Sequence, residues 1–123
     1  MEIWVNPACS KCRSALADLD AAGVTYTVRR YLDEPPSRAE LEGVLAALGL
    51  QPWDIARPKE AAEEGLTFPR DAEHRGDWLD GLAAHPRAIQ RPIITAADGT
   101  AVIGRDPDSI ARAVHHERDH ESG

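Results

Sequence analysis

The sequence has little cysteine, few basic residues and no long apolar run, and each shortage excludes a class of protein. The chain of 123 residues contains only 2 cysteines, too few for a small secreted domain held by disulfides. No apolar run approaches the roughly 18 residues that cross a bilayer, and the first ten residues lack the apolar stretch of a secretory signal. Only 14 Lys and Arg face 21 Asp and Glu, and the resulting net charge of −7 argues against a broad surface for nucleic acid or anionic membrane.

What remains is the composition of an ordinary globular protein. Hydrophobic residues make up 42% and charged residues 28% of the chain, which excludes a disordered segment. We therefore expect a cytoplasmic protein with an apolar core, and we expect neither a membrane nor a nucleic-acid partner.

Apolar periodicity predicts a strand, a helix and a second strand at the start of the chain. The strands are expected at residues 2–5 and 25–28, and the helix at residues 10–22. A helical middle follows at residues 37–85, and Ser37 to Glu40 has the pattern of a capping box at its beginning.

The last third of the chain predicts two strands joined by a tight turn, and then a helix. The strands are expected at residues 92–95 and 101–104, with the Asp-Gly turn signal between them. Asp106 is the expected N-cap of the last helix. This order favours an α/β fold with a four-stranded mixed sheet. We predict a single domain over residues 1–116, with residues 37–85 as a helical insertion and residues 117–123 as a polar, frayed tail.

The sharpest local feature is the pair of thiols at Cys9 and Cys12. Cys9 is expected at the start of the first helix, where free amide groups and the helix dipole stabilise an anion. Lys11 and Arg13 add positive charge nearby, and such surroundings lower a thiol pKa into the range of roughly 3.5 to 7.5. Cys12 follows one turn later, where it could attack a bond formed at Cys9 and close a disulfide.

Two other interpretations of the thiol pair, which involve no redox chemistry, stay open. Both cysteines could be packing residues, or they could form half of a zinc site completed by His116 and His120. A single Cys-x-x-Cys pair is weak evidence for zinc, and the two histidines fall on the expected tail. We therefore predict a redox or nucleophilic role and no bound metal.

Three arginines stand at expected element boundaries. Arg57 lies between helices, Arg91 precedes a strand and Arg105 precedes the last helix. Each alone is an ordinary surface residue, but together their guanidinium groups could bind a tetrahedral oxyanion. The Arg91–Pro92 peptide is a candidate cis bond, with a proline that merely opens an edge strand as the alternative.

At these residues the chain resembles the glutaredoxin-linked arsenate reductase family, a branch of the thioredoxin-like fold that also contains Spx-type proteins. The reactive cysteine of that family follows an Asn-Pro-x loop, as Cys9 follows Asn6 here. The stretches 89–94 and 103–107 resemble the Arg-Pro strand and the closing Arg-x-Pro segment of the family, and Arg57 resembles a third family arginine. The resemblance runs from Glu2 to about Val114.

The resemblance implies a thioredoxin-like fold with a helical insertion and a reduction of arsenate to arsenite. Cys9 would be the nucleophile that forms a thiol–arsenate adduct, and Cys12 a candidate resolving thiol. No cofactor is expected to be bound. The resemblance implies that the oxyanion-binding residues are Asn6, Arg13, Arg57, Arg91 and Arg105.

Two positions depart from the classical members of the family. Val5 stands where those members often have a histidine that helps to ionise the nucleophile, and Cys12 supplies a thiol that many of them lack. The reductant is therefore open between a low-molecular-weight thiol of the glutathione or mycothiol type, a glutaredoxin and a thioredoxin.

A second function of another class is implied by the same resemblance. Spx-type transcriptional regulators carry the Cys-x-x-Cys pair at the same place, use it as a redox switch and bind RNA polymerase. A regulator has no need of three oxyanion-binding arginines, so Arg57, Arg91 and Arg105 favour the enzyme.

Overall fold

The protein is built around a mixed sheet of four short strands. A computed structural model describes residues 1–122. The sheet has the order β2-β1-β3-β4, in which β1 runs parallel to β2 and antiparallel to β3, and β3 runs antiparallel to β4. The predicted four-stranded mixed sheet is therefore confirmed. The strands are β1 (Glu2–Val5), β2 (Thr27–Arg30), β3 (Ile93–Thr95) and β4 (Ala101–Ile103).

Five α-helices and three short 3-10 turns complete the described part of the chain. None of the helices within residues 1–122 is long and apolar enough to cross a membrane. The 3-10 turns are Pro52–Ile55, Ala72–His74 and Pro86–Ala88. The helices are α1 (Ser10–Ala22), α2 (Arg38–Leu48), α3 (Pro58–Glu63), α4 (Arg75–Ala84) and α5 (Pro107–Ser122).

The chain divides into two compact units. The first contains Met1–Tyr31 and the chain from Arg91 onward, and it carries the sheet together with α1 and α5. The second is Leu32–Gln90 and carries α2, α3 and α4. The expected helical middle thus corresponds closely to the second unit.

One face of the sheet and the two helices of the first unit enclose its core. Alternation along β1 sends Ile3 and Val5 to the same face, where they join apolar residues of both helices. In α1 the buried residues are spaced three and four apart, which places them on one side of the helix. The core consists of Ile3, Val5, Cys12, Ala15, Leu19, Ile94, Val102, Ile110, Ala113 and Val114.

The second strand begins two residues later than the sequence predicted. The parallel pairing with β1 starts where the Thr27 amide donates to the Met1 carbonyl at 2.9 Å, and it continues through Arg30. Arg29 is accommodated because its guanidinium lies over the Trp4 ring, 5.5 Å from the ring centroid. The pairing partner, rather than β propensity, therefore decides the bounds of this edge strand.

Local caps and apolar contacts define the second unit. The capping box predicted at the start of α2 is present, with the Glu40 amide 3.1 Å from Ser37 Oγ and the Ser37 amide 3.0 Å from Glu40 Oε1. Trp78 of α4 is buried against the Phe68 ring, and its indole N–H donates to the Pro69 carbonyl at 3.1 Å.

The final helix continues where the sequence predicted a frayed tail. α5 extends through Ser122, and Gly123 lies outside the described residues. Glu117, the first residue of the expected tail, is 3% exposed and accepts hydrogen bonds from the Ala97 amide at 3.1 Å and the Met1 amino group at 2.9 Å. These partners satisfy the buried carboxylate and so keep this turn of the helix folded.

Candidate active site

The loop between β1 and α1 places Cys9 at the N-cap of the helix. Its backbone is extended there, with φ −87° and ψ 124°, and its amide donates to the Asn6 carbonyl at 2.9 Å. The Asn6 side chain also accepts the Ala8 amide at 3.0 Å, which closes a tight Asx turn. Asn6 therefore shapes the loop that presents Cys9, and its predicted contact with substrate stays a prediction.

The surroundings of Cys9 favour its thiolate. Burial alone would raise the pKa of Cys9, but hydrogen bonds from the Cys12 amide, the Arg91 guanidinium and the Lys11 amide outweigh it and lower the pKa to about 7. The thiol is also partly exposed, so it combines the two properties that a nucleophile needs.

Cys12 has the opposite character. Its side chain belongs to the core and is fully buried, and burial together with the neighbouring Cys9 raises its pKa to about 11, although the Asn6 amide donates to its sulfur at 3.4 Å. The two thiols are neighbours, and their interaction lowers the pKa of Cys9 and raises that of Cys12. The pair therefore divides into an accessible thiol with a lowered pKa and a buried thiol with a raised pKa.

Arg91 is the first residue of the second chain segment in the first unit, and Cys9 belongs to the first segment. It precedes β3 and forms a cis peptide bond with Pro92, and its guanidinium lies near the Cys9 thiol and lowers the pKa of that thiol. Its Nε is buried and has no hydrogen-bond partner within residues 1–122. The arginine thus stabilises the thiolate and retains a donor that an oxyanion could use.

Arg105 contacts the backbone of Arg91. Its Nη1 donates to the Arg91 carbonyl at 2.8 Å, while the Gly104 amide beside it donates to the Pro92 carbonyl at 2.9 Å. Gly104 lacks room for a side chain, because a Cβ there would lie 2.7 Å from Ile94 Cδ1. The segment after β4 is therefore pressed against the segment before β3, and this contact holds both arginines together.

The other cations of this region have local partners. Arg13 is exposed, and its Nη1 donates to the Pro7 carbonyl at 3.2 Å, so it braces the loop before Cys9. Lys11 lies near Asp106, whose pKa is lowered by hydrogen bonds from Ser109 and, to a lesser extent, by the charge of Lys11. The sequence assigned Arg13 to oxyanion binding, which stays a prediction beside this bracing contact.

Arg57 belongs to the second unit. It is the N-cap residue of α3, where its Nε donates to Glu60 at 2.7 Å and its amide donates to the Ala88 carbonyl at 2.7 Å. Its expected part in oxyanion binding stays a prediction.

A sequence profile of the ArsC family matches residues 4–113, which includes the Cys9 loop and all three arginines. The chain belongs to the ArsC family. The resemblance inferred from the Asn-Pro-x-Cys loop and the arginine segments is confirmed over most of the chain.

Individual relatives agree with this assignment. A protein of Streptomyces viridochromogenes described as an uncharacterized protein in the glnII region is 56% identical over 117 residues, which cover 93% of this chain and 98% of the relative. An arsenate reductase of Rhizobium meliloti is 43% identical over 100 residues, covering 80% of this chain and 70% of the relative. The solved structure of an arsenate reductase from Vibrio cholerae superposes with a TM-score of 0.81 at 33% identity, covering 92% of this chain and 98% of that one.

The two departures of this ArsC chain from the classical pattern have clear places in the structure. Val5 is buried in the core, and Arg91 and the amides at the start of α1 are the groups that lower the pKa of Cys9. Cys12 lies beside Cys9, and its predicted part as resolving thiol stays a prediction.

The described part of the chain contains no set of ligands that fits the zinc interpretation. Within the described residues, no three His, Cys, Asp or Glu side chains are arranged to hold a metal ion. His116 instead lies 2.8 Å from Asp98 and links α5 to the turn between β3 and β4.

Sequence reasoning missed two contacts of this ArsC site. It did not foresee that the Asn6 amide would donate to Cys12, or that Arg105 would hold the backbone of Arg91. Both contacts join residues through the folded backbone, and no local pattern in the sequence signals them.

Proposed function

We propose that this chain is a thiol-dependent arsenate reductase with Cys9 as its nucleophile. The observation that carries the proposal is the partly exposed Cys9 thiol at the N-cap of α1, with the Arg91 guanidinium near enough to lower the pKa of that thiol. Relatives of this family that are named arsenate reductases support the choice of oxyanion. Because the reactive thiol must be regenerated, we also propose a reducing, cytoplasmic location.

In the first step, the Cys9 thiolate attacks the arsenic of a dihydrogen arsenate ion. An S–As bond forms and the bond from arsenic to one hydroxyl group breaks; the departing hydroxyl takes up one proton from solvent and leaves as water, while arsenic remains As(V). Arg91 donates to the arsenate oxygens as negative charge builds on them, and Arg105 lies beside it. Arg91 thus serves twice, first as donor to the thiolate and then as donor to the oxyanion.

In the second step, an external thiol attacks the Cys9 sulfur of the adduct. A disulfide forms, the S–As bond breaks, and its electron pair passes to arsenic, which leaves as arsenite after taking up the proton of the thiol. Arsenic is reduced by two electrons, and the two sulfurs are oxidised. Another thiol, either Cys12 or a second external one, then releases Cys9 from the mixed disulfide.

Oxyanion binding is proposed for Arg91 and Arg105 of the first unit, and for Arg57 as the family resemblance implies. Arg91 and Arg105 are supported by their mutual contact and by the Cys9 bond, whereas Arg57 is supported by the family resemblance alone. Removing a donor that acts on the developing charge costs on the order of 3 kcal/mol in transition-state stabilisation. We therefore expect R91A to lower arsenate turnover by about a hundredfold, and R57A to raise the arsenate KM if Arg57 contacts the ion.

The deciding experiment is arsenate-dependent oxidation of dithiothreitol, measured as arsenite released. We expect turnover in the wild-type protein, no turnover in C9S, and retained turnover in C12S, because dithiothreitol supplies both thiols. C12S is the matched control, since it makes the same change one turn further along α1. Turnover by C9S equal to that of the wild type would refute the mechanism.

No observation in the described residues favours the Spx-type regulator over the enzyme. The contact between Cys9 and Cys12 suits a redox switch as well as an enzyme, so it does not choose between them. Arsenate turnover that is lost in C9S would show that the thiol pair serves an enzyme.

A further inference from the structure

A pocket of about 270 Å³ lies in the second unit, between α3, the chain that follows it and α4. Every residue that lines it belongs to the second unit, whereas Cys9 and Arg91 belong to the first. Its floor is apolar, because Ala61, Leu66 and Trp78 line it with buried side chains. An apolar cavity of roughly 150 Å³ is enough to hold benzene, so this pocket has room for one ring and a short chain.

Hydrogen bonds and close packing fix the segment after α3, so the fold itself shapes the walls of the pocket. The Leu66 amide donates to the Ala61 carbonyl at 2.8 Å. Further along the chain, the Trp78 indole N–H donates to the Pro69 carbonyl at 3.1 Å. The Leu66 side chain lies tightly against α4 at Gly81, where a Cβ would be 2.6 Å from Leu66 Cδ2. Binding therefore requires little ordering of the chain, which lowers its cost in free energy.

Two exposed polar side chains, Thr67 and Arg70, stand at the open edge of this apolar pocket. The indole N–H of Trp78 already donates to a backbone carbonyl. Arg70 carries the one charge in the lining, and its side chain forms no hydrogen bond or ion pair within residues 1–122. By contrast, Arg57 and Arg87 of the same unit are paired with glutamates. An apolar floor with a single unpaired guanidinium at its edge suits an apolar molecule with one anionic end.

We propose that this pocket binds a small aryl or branched-chain carboxylate, with its apolar part on the floor and its carboxylate on Arg70. The Phe68 ring, edge-on to Trp78 at a centroid distance of 5.7 Å, offers the apolar part an aromatic contact. Thr67 can donate its hydroxyl to the same carboxylate. One guanidinium in a protein of net charge −7 favours a monoanion over a phosphate dianion. The lining contains none of the residues assigned to the arsenate reaction, so the two proposals stand or fall separately.

The test follows the binding of 3-phenylpropionate to the wild-type protein by nuclear magnetic resonance. The amides of Leu66, Thr67 and Arg70 and the indole N–H of Trp78 report on the pocket. We expect their resonances to shift with a Kd on the order of 1 mM, as suits a ligand of this size. The uncharged isostere 3-phenylpropanamide should bind about fivefold more weakly, because it lacks the charge that pairs with an exposed guanidinium.

Two sets of variants separate the charge of the pocket from its space. R70A should weaken the binding of 3-phenylpropionate about fivefold and leave that of 3-phenylpropanamide unchanged, whereas R70K should retain part of the affinity. A62F places a ring over the opening from an exposed position of α3 and should weaken both ligands about tenfold. As controls, K59A removes a charge from α3 outside the lining, and A46F adds the same ring to an exposed position of α2. Both controls should bind as the wild type does.

Resonances that do not shift at ten times the expected Kd would overturn the site. Equal affinity for the carboxylate and the amide, or an unchanged Kd in R70A, would overturn a carboxylate as its ligand. Wild-type binding of both ligands by A62F would place them elsewhere on the protein and would also overturn the site. Arsenate turnover with dithiothreitol does not depend on these results and tests the thiol chemistry on its own.

Discussion

At the scale of single residues, Arg91 is one of the groups that lower the pKa of Cys9. The arginine and the amides of Lys11 and Cys12 bring the pKa of Cys9 down to about 7 in spite of its burial. Of these donors, only the guanidinium can be removed without altering the helix. It is therefore the part of the site whose contribution to the thiolate can be measured directly.

We predict that R91A raises the pKa of Cys9 by about one unit, toward the ordinary value of a thiol. The wild-type rate of alkylation by iodoacetamide should fall tenfold for each pH unit well below 7 and level off above 8, because only the thiolate reacts. In R91A the same curve should shift to higher pH. The measurement uses the C12S background, which removes the second thiol and keeps a hydroxyl donor for Cys9.

R13A is the control for this measurement, since Arg13 is a nearby cation whose guanidinium donates to the Pro7 carbonyl. Its curve should stay within a few tenths of a pH unit of the wild type. Equal curves for R91A and the wild type would mean that the helix amides alone ionise Cys9.

At the scale of elements, the close contact between the end of β4 and the start of β3 holds the arginines in place. Gly104 is the residue that permits it, because a Cβ there would lie 2.7 Å from Ile94 Cδ1 and 3.4 Å from Pro92 Cγ. Ile94 is fully buried in the core and has little freedom to move.

We predict that G104A destabilises the protein by about 1–3 kcal/mol through overpacking, and that I94V partly restores it. I94V removes the Cδ1 atom that the new methyl group would meet, although on its own it costs about 1 kcal/mol. The double variant should therefore be more stable than the sum of the two single changes indicates. Urea unfolding followed by tryptophan fluorescence gives the free energies.

I3V supplies the control pair for G104A, because Ile3 lies in the same core on β1 and is not among the atoms nearest to a Cβ at position 104. The effects of G104A and I3V should simply add. Additivity in both pairs would show that the contact with Ile94 is not the cause of the loss.

Elements with local signals could be predicted from the sequence, and elements with distant partners could not. The capping box at Ser37 marks a helix start by its own chemistry, and it is present. The bounds of β2 depend on its pairing with β1, and the burial of Glu117 depends on groups at Met1 and Ala97. The sequence around β2 and the sequence around Glu117 contain no pattern that indicates these partners.

The site shows the same division. The position of Cys9 at a helix start follows from the local pattern, and the structure places it there. The proximity of Arg91 to Cys9 joins residues that are far apart in the sequence, so only the family resemblance could suggest it. The contact between Arg105 and the Arg91 carbonyl required the folded backbone.

At the scale of the whole molecule, an acidic protein must admit an anionic substrate. The net charge is −7, whereas the immediate surroundings of Cys9 include Arg91, with Arg105 in contact with it. The long-range field therefore repels arsenate, and the short-range field attracts it. Added salt distinguishes the long-range repulsion from the short-range attraction. It screens the distant charges first, because the Debye length falls from about 30 Å at 0.01 M to about 8 Å at 0.15 M.

We predict that kcat/KM for arsenate rises roughly twofold over that range of sodium chloride, since screening removes the distant repulsion before it removes the attraction of the adjacent arginines. Alkylation of Cys9 by uncharged iodoacetamide is the control and should change little. Alkylation by iodoacetate should rise with salt as arsenate turnover does. A fall in kcat/KM with salt, matched by a fall for iodoacetate, would mean that the arginines near Cys9 dominate the field even at long range, and that the acidic surface does not hinder arsenate.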